Sequence, residues 1–269
     1  MKNKRFRESM LLVSLIVLII LSINVFAIPQ GPSRLGISSS GSYLNESGTF
    51  PVQAQAGNVT ALKVNFTRST EAWQGYYGNV TGTITLDDAS NFTLYDWALP
   101  SPTGEIYASN GSGVTWSNVY CMNLSHKRNN SGIEGETGSA TTFYKINMSQ
   151  IELNYDINVS DLDGLNETFN NTFTDATGFT VGAITIDVDD GCSLARPYVN
   201  ELYVDTWTEL LLTDNESLVF TSVLLDNGNS YQPGAGDTAD FEMLVLENGH
   251  TAAGANGQIS TYYFYVELA

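Results

Sequence analysis

Short segments in which apolar and polar residues alternate recur along most of this chain, and they are what most limits the folds open to it. In one of them Ile184, Ile186 and Val188 alternate with Thr185 and Asp187. Period-two alternation of this kind is typical of β-strands. Turn-forming runs of Gly, Asn, Asp and Ser separate about a dozen such segments, without the regular strand–helix alternation of a parallel sheet. The pattern predicts an all-β fold, an antiparallel β-sandwich or jelly roll of about a dozen strands.

Residues 147–172 break this pattern. Ser149 is followed three residues later by Glu152, and Ser160 precedes a second stretch with acidic and apolar residues. A hydroxyl residue at this spacing from an acidic one favours the start of a helix. We therefore expect one or two short helices inserted between strands.

The N-terminus has the layout of an export signal. It begins with basic residues, continues with an apolar run from Met10 to Leu21, and ends in a small-residue cleavage site at Ala27. We expect cleavage after Ala27, although the length of the run also fits an uncleaved N-terminal anchor. The rest divides into a flexible arm or edge strand at 28–57, rich in Ser, Gly, Pro and Gln, and a single β-sandwich domain at 58–269. The chain is therefore expected to be extracellular or at the cell surface, with membrane contact only through residues 1–27.

The charge of the chain limits its partners. It has 11 Lys+Arg against 29 Asp+Glu, a formal net charge of −18. Removing the leader takes away four basic residues and one acidic residue, which brings the charge to −21. Nucleic-acid binding needs clustered cations, so this balance argues against it. Cations, sugars, cell-envelope proteins or further copies of the chain suit it better, although acidity also simply keeps an exposed protein soluble.

The two cysteines, Cys121 and Cys192, are predicted to form one disulfide. In an exported protein this is the simplest use of two cysteines. A metal or catalytic role is less favoured, because there is no CxxC spacing and the only histidines are His126 and His250, both in loop-like settings.

The acceptor triplet for N-glycosylation, N-x-S/T, occurs thirteen times, where the composition would give roughly four by chance. This excess predicts a densely glycosylated surface, which requires the asparagine amides to be exposed. Polar β-proteins also use Asn and Thr in turns and on strand faces, and that alternative stays open. The acceptors are Asn45, Asn58, Asn65, Asn79, Asn91, Asn110, Asn123, Asn129, Asn147, Asn158, Asn166, Asn170 and Asn215.

Catalytic motifs are not found in the sequence. There is no nucleophile elbow, zinc-protease helix, phosphate-binding loop or dinucleotide fingerprint. A glycosidase would need only two carboxylates, which the acidic residues could supply. Four tryptophans could stack on sugars or pack between sheets: Trp73, Trp97, Trp116 and Trp207. A carbohydrate-binding or carbohydrate-processing module is therefore the alternative to a structural protein.

Calcium is the one ion for which the sequence offers candidates, and no other cofactor is predicted. Asp161 and Asp163 form one acidic cluster, and Asp187, Asp189 and Asp190 form another. Carboxylates on loops are suitable calcium ligands. Neither cluster matches the EF-hand loop, and turn or helix-cap roles would use the same residues.

Three stretches carry a resemblance to a known group of proteins. They are TEAWQGYYGNVTG at 70–82, DDGC at 189–192, and the ending formed by DFEMLV at 240–245 and YYFYVEL at 262–268. In these the chain resembles a family of uncharacterised secreted archaeal proteins, over about residues 60–269. The resemblance implies a signal peptide, a β-rich surface protein and archaeal-type N-glycosylation, and it brings no activity or site. The sequence as a whole predicts a secreted or cell-surface glycoprotein with a structural, assembly or adhesion role, in which arm 28–57 could add a strand to a neighbour.

Overall fold

The structure is a computed structural model. It describes residues 28–37, 40, 53, 55–56, 58–59, 61–62, 70, 72–99, 101–122, 148–158, 161–175, 177–199, 202–203, 207–214, 216–226, 228, 238–247 and 260–268. The predicted leader and most of the predicted arm lie outside these residues.

Strands dominate the described residues. In chain order they are β1 (Trp73–Gly78), β2 (Gly82–Asp87), β3 (Thr93–Leu99), β4 (Gly104–Ser109), β5 (Tyr120–Cys121), β6 (Asn171–Thr172), β7 (Phe179–Val181), β8 (Ile184–Ile186), β9 (Ser193–Leu194), β10 (Tyr198–Val199), β11 (Leu202–Tyr203), β12 (Glu209–Thr213), β13 (Leu218–Val223), β14 (Phe241–Leu246) and β15 (Tyr263–Leu268). The helical elements are α1 (Met148–Asn154), α2 (Leu165–Thr168) and two 3-10 turns, Trp116–Asn118 and Val188–Asp190.

A seven-stranded antiparallel sheet forms the centre of the fold. Its strands lie in the order β15-β4-β13-β12-β9-β6, and β5 also pairs with β12. Four separate two-stranded units accompany it: β1–β14, β2–β3, β7–β8 and β10–β11. The predicted all-β antiparallel class is therefore confirmed, and the short helices fall where the sequence placed them.

The middle of the sheet is buried on both faces. All five residues of β12 are buried, which fits its nearly continuous apolar sequence, because a strand covered on both sides has no solvent face to fill with polar residues. On one face, Leu211 and Phe220 belong to a core that includes Val245 from the β1–β14 ribbon and Phe169 beside α2.

The opposite face carries a second core. Tyr107, Leu210 and Leu212 of the sheet pack there with Val181 and Ile186 from the β7–β8 unit. The central sheet therefore has a layer on each side.

The predicted disulfide joins Cys121 at the end of β5 to Cys192, just before β9. Their Cα atoms are 4.7 Å apart, and both residues are buried in the second core. The bridge closes a separation of 71 residues. Closing a loop of this length is worth about 4 kcal/mol in the chain-entropy account.

The helix starts differ from those expected. Ser149 lies inside α1, so it does not cap that helix from outside. Helix α2 begins at Leu165 with Gly164 as its N-cap residue, which has no side chain to accept a hydrogen bond. Instead, Oε1 of Glu152 in α1 accepts a hydrogen bond from the backbone N–H of Asn166, 2.9 Å away. A carboxylate brought in by the fold thus satisfies a free N–H at the helix start, which a local sequence pattern does not reveal.

One residue of the predicted arm contacts the edge of the main sheet. Gln30 forms a β-bridge with Val266 of β15. The backbone nitrogen of Gln30 lies 3.0 Å from the carbonyl oxygen of Val266, and the nitrogen of Val266 lies 2.8 Å from the carbonyl oxygen of Gln30. The neighbouring Pro29 is buried, whereas Ile37 is almost fully exposed. The start of the arm therefore covers part of an open sheet edge of its own chain.

Candidate functional site

The acceptor asparagines that the structure describes lie at or near the surface. Five are exposed: Asn58, Asn79, Asn91, Asn110 and Asn158. Two are half-buried: Asn166 and Asn170. The other six lie outside the described residues: Asn45, Asn65, Asn123, Asn129, Asn147 and Asn215.

The two half-buried acceptors are held by the helical insertion. Asn166 is part of α2, where its backbone N–H donates to Glu152. The side-chain amide of Asn170 donates to the carbonyl oxygen of Glu167 at 2.6 Å. Because a glycosyltransferase must reach the free amide nitrogen, these two positions suit modification less well than the five exposed ones.

Asn79 and Asn91 lie at opposite ends of strand β2. Asn79 precedes the strand, and Asn91 lies in the turn to β3 with a backbone φ of 61°. Asparagine tolerates this left-handed conformation better than most residues. Oδ1 of Asp88 accepts the backbone N–H groups of Ser90 and Phe92 at 2.8 Å and 2.9 Å, which closes the turn.

The hairpin formed by β2 and β3 has one apolar face, and that face is open. Ile84 is paired with Trp97 and Leu86 with Tyr95, so all four side chains share a face. Their exposed fractions are 57%, 57%, 56% and 48%, respectively. The rings of Tyr95 and Trp97 stack with centroids 6.4 Å apart.

The other face of the hairpin is polar. Thr83 is paired with Ala98 and Thr85 with Asp96. Alternation of apolar and polar residues along β2 places Ile84 and Leu86 on one face and Thr83 and Thr85 on the other, as the pairing shows. Alternation does not show whether an apolar face is covered, because it indicates only which side chains share a face. In the described part of the chain, the apolar face of this hairpin is uncovered.

The calcium candidates are engaged in turns and caps. Asp187 and Asp190 form a reciprocal capping box on the 3-10 turn, and Oδ1 of Asp187 also accepts the N–H of Asp189 at 2.8 Å. This turn ends β8 at Ile186, so the predicted alternation does not continue as strand through Val188.

The other acidic cluster is used in the same way. Oδ2 of Asp161 accepts the N–H of Asn158 at 2.8 Å, and Oδ2 of Asp163 accepts the hydroxyl of Thr70 at 2.7 Å. Within the described ranges, no group of three or more His, Cys, Asp or Glu side chains is arranged to hold a metal ion. Calcium binding therefore stays a prediction.

Two carboxyl groups meet on the second core face of the sheet. Glu105 of β4 is paired with Glu267 of β15, and both are buried. Oε2 of Glu267 accepts the Tyr107 hydroxyl at 3.4 Å and the backbone N–H of Gly182 at 3.0 Å. Burial, and then the charge of Glu267, raise the pKa of Glu105 to about 8. Burial also raises the pKa of Glu267.

Another buried carboxyl, that of Glu209, connects the sheet to the β1–β14 ribbon. Both of its oxygens lie 3.0 Å from the backbone nitrogen of Leu244, and Oε2 is 3.4 Å from Nε1 of Trp207. Glu209 is fully buried, and burial raises its pKa well above the ordinary value. The group therefore serves as a buried hydrogen-bond acceptor between two layers.

A cavity of about 200 Å³ borders the strand partner of Glu105, since Val223 is paired with Glu105 and lines the cavity. It is lined by Phe173, Thr174, Asp175, Gly178, Phe179, Leu194, Thr208 and Val223. Asp175 is the single acidic residue in that lining, whereas a glycosidase site needs two carboxyls facing the substrate.

Three of the four tryptophans are half-buried, and Trp97 is exposed. Trp116 packs against the rings of Tyr107 and Tyr265, each 5.1 Å away, and Trp73 donates from its indole nitrogen to the carbonyl oxygen of Asp163. These contacts favour a packing role for the half-buried rings over a sugar platform.

No helix within the described ranges is long and apolar enough to cross a membrane. His126 and His250 lie outside those ranges.

Comparison with known proteins finds no matching family model, no matching curated protein and no matching solved structure. The resemblance to secreted archaeal proteins therefore stays a prediction.

Proposed function

We propose that this chain is a secreted or cell-surface glycoprotein with a structural, assembly or adhesion role. The observation that carries the proposal is the position of the acceptor asparagines: of the seven described, five are exposed, two are half-buried and none is buried. Exposure of the acceptor amide is what a glycosyltransferase requires, and the five exposed positions meet that requirement.

The disulfide and the charge support the same role. A structural disulfide such as Cys121–Cys192 persists in oxidising compartments outside the cytoplasm. A net charge of −18 keeps an exposed protein dispersed in water and fits envelope surfaces rather than nucleic acid.

The test is to express the full chain, leader included, in an archaeal host with N-glycosylation and to recover it from the envelope and the medium. Intact-mass and peptide mass spectrometry would then locate the N-terminus and every glycan. We expect a chain beginning at Ile28, or at Met1 if the leader is retained as an anchor, with sugars on exposed acceptors.

A matched control separates glycosylation from folding. Asn79→Gln removes one exposed acceptor, and Asn118→Gln changes an exposed asparagine that is not followed by the acceptor pattern. The first should lose the mass of one glycan and the second none. A full-length chain found only in the cytosol, without sugars, would refute the proposal.

A further inference from the structure

We propose that the apolar face of the β2–β3 hairpin is a self-association surface, and that two copies of this chain pair through it face to face. The face consists of Ile84, Leu86, Tyr95 and Trp97. This inference rests on the proposed assembly role and deepens it, because it names the contact surface and the partner.

The hairpin needs a partner to be well ordered. Described side chains from residues 83 to 98 are exposed on both strands, so the part of the chain that the structure describes covers neither face of the hairpin. An isolated two-stranded hairpin is only marginally stable in water, whereas packing its apolar face against another layer stabilises it. A second hairpin supplies such a layer, at the spacing of about 10 Å found between stacked sheets.

The face is complementary to itself. Strand β2 contributes an aliphatic row, Ile84 and Leu86, and β3 contributes an aromatic row, Tyr95 and Trp97. A two-fold axis parallel to the strands turns the face over and exchanges the two rows. The aromatic row of one copy then lies on the aliphatic row of the other, and both contacts are made twice, as two-fold symmetry requires.

The exposed area is sufficient for such a pair. The four side chains, each about half exposed, offer on the order of 500 Å² of apolar surface per copy. Two copies would bury up to about 1,000 Å² through these side chains, which reaches the lower bound for a specific interface.

The distribution of charge allows two acidic chains to meet here. None of the four side chains of the face is an Asp, Glu, Lys, Arg or His. Asp96 is paired with Thr85 on the opposite face, and Asp87 accepts the Thr85 hydroxyl at 2.9 Å on that side. The pairing therefore leaves Asp87 and Asp96 on the side of the hairpin away from the partner.

The same face suits a lipid bilayer less well. Inserting the hairpin by its turn would carry Asn91, an exposed acceptor for a hydrophilic glycan, into the lipid. The high negative charge of the chain also opposes approach to an anionic membrane surface.

The test compares two substitutions that add the same charge to neighbouring positions on opposite faces. Ile84→Lys places a lysine on the apolar face, and Thr83→Lys places one on the polar face opposite Ala98. Each would be introduced into the full chain, recovered in its exported form and followed by sedimentation equilibrium over a range of concentrations. Far-UV circular dichroism and the melting temperature would show whether each variant keeps the fold.

We expect the wild type and Thr83→Lys to dimerise, and Ile84→Lys to weaken the dimer at least about tenfold. Trp97→Lys provides a second variant of the apolar face and should behave like Ile84→Lys. A wild-type chain that stays monomeric would overturn the inference, and so would a dimer unaffected by both apolar-face variants. Monomers whose tryptophan emission shifts only with phosphatidylcholine vesicles would overturn it in favour of lipid.

The measurement distinguishes this inference from the proposed function. Processing and glycans are determined by mass spectrometry on the same material, independently of its oligomeric state. A glycosylated, exported monomer would refute the pairing alone, whereas a cytosolic dimer without sugars would refute the surface role alone.

Discussion

Glu105 and Glu267 lie directly opposite each other on the neighbouring antiparallel strands β4 and β15, and both carboxyl groups are buried. Two like charges so placed repel each other, and removal from water penalises each charged form. The hydrogen bonds to Glu267 from Tyr107 and Gly182 favour its ionised form, whereas burial and the charge of Glu267 raise the pKa of Glu105 to about 8, so Glu105 is protonated at neutral pH. The pair adds a pH-dependent term to the stability of the sheet.

The first prediction concerns this pH dependence. An acid whose pKa is higher in the folded than in the unfolded chain stabilises the fold fully below its unfolded pKa, and this contribution is lost as the pH rises through the folded pKa. For Glu105 that window runs from 4.5 to about 8. Glu105→Gln keeps the shape without the charge, so it should raise the unfolding free energy at pH 8 by at least about 2 kcal/mol and change it much less at pH 5. Urea unfolding at the two pH values measures this.

Glu216→Gln is the control, since it removes the same charge from an exposed loop position. It should leave the stability difference between pH 5 and pH 8 as in the wild type. If Glu105→Gln lost stability equally at both pH values, the buried carboxyl would have no titrating role.

The second prediction concerns the buried acceptor between the layers. Glu209→Gln retains an oxygen for the backbone N–H of Leu244, whereas Glu209→Ala removes it and leaves a void beside β14. An unsatisfied buried donor and a void together cost several kcal/mol. We expect Glu209→Ala to be less stable than Glu209→Gln by at least about 2 kcal/mol in thermal or urea unfolding. Equal stabilities would show that the Leu244 contact contributes nothing.

The third prediction concerns the start of β4. Gly104 has φ of +125°, and a Cβ atom there would clash with the backbone carbonyl of Glu267. Gly104→Ala should therefore lower the unfolding free energy by at least about 2 kcal/mol. Gly113→Ala is the matched control, because a Cβ atom at that position meets open space. Similar melting temperatures for the two variants would contradict the close approach of β4 and β15.

The sequence predicts the strand-rich class because alternation and turn residues are local signals. It also predicts the disulfide, since two cysteines in an exported chain have one simple pairing. It does not predict that Glu152 caps α2, nor that Glu209 crosses between layers. Those contacts depend on residues 14 and 35 positions apart, which only the folded chain brings together.

The candidate surface was predictable in part. The triplets identify the acceptors, and alternation places Thr83 and Ile84 on opposite faces of β2. The open apolar face was missed, because a sequence that alternates looks the same whether its apolar side meets the core or the solvent. The acidic clusters show the converse: Asp187 and Asp190 look like cation ligands in sequence, and in the fold their carboxylates cap a 3-10 turn.

The last prediction ranks the acceptors by the freedom of their amides. Asn79 and Asn91 are exposed, and we expect both to carry glycans in most copies. Asn170 is half-buried with its amide nitrogen donating to Glu167, so a transferase would have to break that contact to modify it in the folded chain. Site-by-site mass spectrometry of the exported protein should find lower occupancy at Asn170 than at Asn79. If the sugar is added before the chain folds, Asn170 should be as fully occupied as Asn79. The bulky sugar would then displace the Asn170 amide from the carbonyl oxygen of Glu167. Faster hydrogen exchange of the α2 amides would reveal this local loss of structure.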